Sequence, residues 1–220
     1  MDKEEIAEKY GINLEKLKIE QEKIYKTLSL KDTKNFDEIS HIGGCYNVYQ
    51  ENKIISAIVV IDISGGEWEV VEEKYFSEKM RFPYISGFRS YREMNAMVQA
   101  FHSLEERPEL IFVHGHGADH VLGLASHFAL AVGLPTIGIA DENLEAEIKK
   151  GELIIEGKKV GKIVDTKTGS KPIYVSPGND ISVESAVELT KKFVKEPHKL
   201  PFPLRVAQRY GKGVRGELFG

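Results

Sequence analysis

The chain is short of the residues that would staple it or carry it into a bilayer. Its one cysteine in 220 residues is Cys45, so no disulfide forms within the chain and a reducing cytoplasm is the expected home. No apolar run approaches the roughly 20 residues that a membrane helix needs. The opening MDKEEIAEKYGINLEKLKIEQEK is charged throughout, unlike a secretory or organelle-targeting leader. Excess positive charge is also missing: the formal net charge is −4, which argues against indiscriminate binding to nucleic acid. Nucleotide loops are missing too. Gly115-His116-Gly117 lacks the third glycine of a dinucleotide fingerprint, and no Gly-Lys-Ser/Thr element occurs. Ser126 lies in Ala-Ser-His rather than in a Gly-X-Ser-X-Gly elbow, so no acyl-transfer nucleophile is marked.

What is there has the apolar content of a folded domain and no internal repeat. Residues 1–35 read as a helical segment, with apolar positions at helical spacing from Ile6 to Leu28 and a break at Gly11 and Asn13. Three strands follow: ISHIGGCYNVYQ, the β-branched run SAIVVIDI, and WEVVEEKYF after a Gly65-Gly66 turn. Short links make them an antiparallel meander. Next come an amphipathic helix over YREMNAMVQAFHSLE and a buried strand ELIFVHG. A small-residue helix, GLASHFALAVG, and a second buried strand, LPTIGIAD, follow. An exposed segment and hairpin lead to the strand KPIYVSPG, closed by a Pro-Gly turn, and to a helix capped near Ser182. The expectation is a single α/β domain over 1–220, a mixed sheet with helices on both faces.

Charge and histidine are unevenly spread. From 191 to 220 there are eight Lys/Arg and two Asp/Glu, a local +6 that leaves −10 on the rest. A basic C-terminal helix and tail, with Lys192, Arg205 and Arg209, can meet phosphates. Four of the seven histidines, His114, His116, His120 and His127, fall in FVHGHGADHVLGLASH. A glycine-rich segment so loaded marks either a stabilised loop or a place where protons, metal or phosphate are handled.

PYISGFRSYRE, GHGADHVLGLASH, LPTIGIA and KPIYVSPG stand in the order and spacing of endonuclease V. From Leu17 to Arg209 the chain resembles that family of deoxyinosine-directed nucleases. The resemblance implies an RNase H-like fold, and DNA, or in some members RNA, with deaminated or distorted bases as partner. It implies Mg²⁺ as cofactor, Pro83, Tyr84 and Ile85 as a wedge entering the duplex, and Gly138 beside the base pocket. Glu93 keeps the family's glutamate. The other catalytic positions are altered: Cys45, in Gly43-Gly44-Cys45, and His114 stand for two aspartates, Asp141 for a lysine, and Gln208 for a histidine.

Mg²⁺ takes oxygen ligands in octahedral geometry, so these changes oppose ordinary nicking. The first expectation is a nucleic-acid-binding homologue with Mg²⁺-dependent nicking lost or very weak. The second is a hydrolase with Zn²⁺ or Mn²⁺ at Cys45, Glu93, His114 and Asp141, where S and N donors suit a softer metal. Its catalytic groups would be Glu93, Asp141, His116 and His120. The third is a scaffold without catalysis.

Overall fold

The computed structural model describes residues 2–220. Helix α1 (Lys3–Lys9) opens on a capping box in which Asp2 and Glu5 each accept the other's backbone N–H. Gly11, at φ +64°, breaks the helix as expected, and Asn13 caps α2 (Leu14–Tyr25). Strands β1 (His41–Gln50), β2 (Lys53–Asp62) and β3 (Glu69–Lys79) form the antiparallel meander. The β-branched run of β2 is buried on both faces, whereas β3 at the sheet edge alternates between exposed and half-buried residues.

After α3 (Arg89–His102), strand β4 (Leu110–His114) pairs in parallel with β1. Helix α4 (Leu124–Val132) then returns the chain to β5 (Thr136–Ala140), which is parallel to β4. The remaining elements are β6 (Glu147–Lys149), β7 (Glu152–Ile155), β8 (Lys158–Val164), β9 (Ile173–Asn179), α5 (Val183–Phe193) and α6 (Phe202–Phe219). All nine strands join one sheet in the order β3-β2-β1-β4-β5-β9-β8-β7-β6. Helices α3 and α4 bury one face with Cys45, Ile58, Val60 and Val113. Helices α5 and α6 bury the other with Ile42, Val59, Phe112 and Ile139.

Three expectations change. The hairpin after β5 is a three-strand meander, β6 to β8. Pro177 and Gly178 do not turn the chain. They lie inside β9, opposite a bulge at Thr136/Ile137, and the lack of a Cβ on Gly178 leaves room for the Thr136 hydroxyl. The C-terminal segment is no solvated tail, because α6 buries Leu204, Val206, Ala207 and Val214 against the sheet. Its first turn sits so close to β1 that a Cβ on Gly44 would collide with the Pro203 carbonyl.

Candidate functional site

The register of β1 and β4 decides what meets at the strand ends. Cys45 lies beside Val113, and both side chains enter the α3/α4 core. Burial pushes the Cys45 thiol up to about 12, and its Sγ lies 3.6 Å from the Ser56 hydroxyl. Side chains alternate along a strand, so the residue that meets His114 is the next one, Tyr46. The two rings stack with centroids 4.4 Å apart. The residue of β1 that meets His114 is therefore Tyr46 and not Cys45, one position on and on the opposite face of the sheet.

Around this stack the polar groups satisfy one another. His114 Nε2 donates to Asp141 at 3.1 Å, and Lys199 Nζ donates to the other Asp141 oxygen at 2.8 Å. These bonds, His114 first, hold the Asp141 carboxyl well below the usual carboxylate range. Gln208 Nε2 donates to the Tyr46 hydroxyl at 2.8 Å. Tyr46, His114, Asp141 and Gln208 thus form one network, closed by a lysine from the segment before α6.

Glu93 lies elsewhere. It is 2% exposed on α3, and both its oxygens are engaged, Oε1 by Arg89 Nε at 2.7 Å and Oε2 by Asn47 Nδ2 at 2.8 Å. The expected set of Cys45, Glu93, His114 and Asp141 does not assemble, because Cys45 and His114 point to opposite faces of the sheet. Among the described residues no three His, Cys, Asp or Glu side chains converge as a metal site. The Mg²⁺ that the family implies does not fit these donors either. The orphaned oxygens near Glu93 are Asn47 Oδ1 and the Ser90 hydroxyl, and two neutral oxygens are far from an octahedral oxygen set.

A cavity of about 380 Å³ opens between two loops on the α3/α4 side of the sheet. One rim is Tyr84 to Gly87, and the other carries His116, His120 and Leu122. Helix α2 pins both: Gln21 donates to the Gly87 carbonyl at 2.9 Å and Tyr25 to the Ala118 carbonyl at 3.0 Å. Asp119, fully buried, accepts from His116 Nδ1 at 2.8 Å, from Gly117 N–H at 2.9 Å and from the Ser176 hydroxyl at 2.6 Å. Burial alone would raise the Asp119 pKa, but these bonds, His116 first, outweigh it and hold it below the ordinary value. His116 is left with its Nε2 uncommitted. Burial lowers the His120 pKa against the opposing pull of Glu145, whose carboxylate lies 3.4 Å from Nε2.

The sequence profile of endonuclease V matches residues 22–209. The chain belongs to the endonuclease V family. Endonuclease V of Archaeoglobus fulgidus is 34% identical, covering 94% of this chain and 96% of its own. The Bacillus subtilis endonuclease V is 31% identical over 82% of each chain. The crystal structure of the Bacillus subtilis protein superposes with a TM-score of 0.80 at 29% identity, covering 90% of each chain. Human endonuclease V, at 23% identity, shares the fold with a TM-score of 0.83 over 94% of this chain and all of its own. The sheet is therefore the RNase H-like one that the motifs imply.

Within that family frame the remaining expected positions sort by exposure. Tyr84 stands 64% exposed with the Arg92 guanidinium 5.7 Å from its ring. Ile85 is buried and ties the loop to Ala7, Leu14 and Phe88, so it forms wall rather than tip. Gly138 is closed off from a base: a Cβ there would lie 2.6 Å from Gly117 N and 2.7 Å from the Gly115 carbonyl. Lys192 sits on α5, across the sheet from the cavity. Arg205 donates to His198 at 2.6 Å, and Arg209 is exposed. Sequence reasoning missed Tyr46, Arg89 and Asp119, and it placed Lys199 only among cations for phosphates, not beside Asp141. The spacing of Arg89 to Glu93 (i, i+4) and of His116 to Asp119 (i, i+3) was the available signal.

Proposed function

We propose that this chain binds nucleic acid carrying a deaminated purine, that the base enters the cavity between the Tyr84 and His116 rims, and that ordinary Mg²⁺-dependent nicking is lost. The observation that carries this is the contrast between the two halves of the site. The cavity is open and its rims are pinned, while the strand ends are closed by Tyr46, His114, Asp141, Lys199 and Gln208 bonding to one another. An endonuclease V from Ciona intestinalis, with a TM-score of 0.83 to this chain, has been crystallised with DNA containing an inosine. That complex supports DNA as the partner class. Tyr84, exposed between Pro83 and a buried Ile85, is suited to stack against a neighbouring base. The exposed Arg209 supplies a cation for phosphates, so affinity falls as salt rises.

The reading is tested by fluorescence anisotropy on single strands that differ only in one deoxyinosine or deoxyadenosine, with a chelator present. Tighter binding of the inosine strand, weakened by Tyr84→Ala by roughly 5- to 100-fold as expected for one stacked base, supports it. Equal binding of the two strands overturns it.

A further inference from the structure

We infer that Arg89 reads the base, its guanidinium donating to the O6 and N7 acceptors of a 6-oxopurine. This rests on the reading of the cavity as a base pocket. Arg89 opens α3 one turn before Glu93 and lines the cavity together with it. Its Nε donates to Glu93 at 2.7 Å and its Nη2 to the Tyr49 hydroxyl at 3.3 Å. A guanidinium carries five N–H groups in one plane, so three remain uncommitted, including both on Nη1. That nitrogen lies beside the rim, 3.6 Å from where a Cβ on Gly115 would be.

Glu93 is itself fixed by Asn47 through its second oxygen. The one family carboxylate that survives thus serves as the anchor of a guanidinium. A side chain locked in this way loses little freedom on binding. The next residue, Ser90, lines the same cavity, and its buried hydroxyl has no hydrogen-bond partner. It is a polar atom left for something that enters.

The donor pattern selects the base. Hypoxanthine presents acceptors at both O6 and N7, as guanine does, whereas adenine presents an amino donor beside N7. A pair of guanidinium N–H groups meets two acceptors on the deaminated purine but one acceptor and one opposing donor on its parent. Arg89 therefore favours the deaminated base over adenine through the edge that deamination alters.

The test uses the full chain and strands bearing one deoxyinosine, one deoxyadenosine or one 7-deaza-2′-deoxyinosine, which lacks only the N7 acceptor. The wild type is expected to bind the 7-deaza strand roughly 5- to 100-fold more weakly than the inosine strand. In Arg89→Met combined with Glu93→Gln, which removes both charges and leaves no buried carboxylate alone, the two strands become equal. If that variant fails to fold, the 7-deaza comparison on the wild type still decides. Equal wild-type affinity for the inosine and 7-deaza strands overturns the inference. So does a folded double variant that keeps full discrimination, and Arg89 is then only a partner for Glu93. A wild type that does not distinguish inosine from adenosine is a different failure. It removes the base-pocket reading, and this inference with it.

Discussion

Asp119 shows how one residue organises the loop that first drew notice. Its carboxylate is buried and takes bonds from His116, Gly117 and Ser176, joining the cavity rim to β9. Its folded pKa lies below the unfolded value of about 3.9. The stability it contributes is therefore fully present above that pH and is lost as pH falls through the folded value. Asp119→Asn is expected to cost about 1–3 kcal/mol near neutrality. Below about pH 4 its unfolding free energy should fall less steeply than that of the wild type, as urea titrations at several pH values would record. A second pair of substitutions separates the two readings of β1. Cys45→Asp places an unpaired charge in the α3/α4 core and is expected to cost ~3 kcal/mol or more. Tyr46→Asp, at a half-buried position of β1 beside the end of β4, should cost less. Equal losses would contradict the register described for β1 and β4.

At the scale of elements, close backbone approach sets the geometry. Gly44 lets α6 rest on β1, which brings Gln208 to Tyr46. Gly44→Ala is expected to destabilise by about 1–3 kcal/mol, the usual cost of overpacking. Gly65→Ala, in an open turn with nothing near its Cβ position, should change the denaturation midpoint little. Most elements were legible in the sequence because their signals are local. The chargeless run of β2, the breaks at Gly11 and Asn13, and the cap at Ser182 each follow from a few neighbouring residues. The errors arose where the answer lay in another strand. Pro177-Gly178 reads as a turn until Thr136 is set beside it, and only the pairing with β4 shows that Tyr46, not Cys45, meets His114. Lys199 stood out only as one of a run of cations, because nothing near it in sequence points to Asp141, which lies 58 positions away.

Across the whole molecule, the acidic body and basic C-terminal segment put the excess positive charge on the end of α5, α6 and the segment joining them. The chain has the RNase H-like frame of its family and an open cavity on one face of the sheet, while Tyr46, His114, Asp141, Lys199 and Gln208 bond to one another on the other. Under the proposed function, binding of deaminated strands and Mg²⁺-dependent nicking have come apart in this protein. The most direct test incubates the purified chain with a strand bearing a single inosine and Mg²⁺, at protein concentrations where anisotropy shows the strand bound, and resolves the products on a denaturing gel. The account predicts a bound strand that remains whole. Nicking near the inosine at a rate comparable to that of the Bacillus subtilis relative would contradict it.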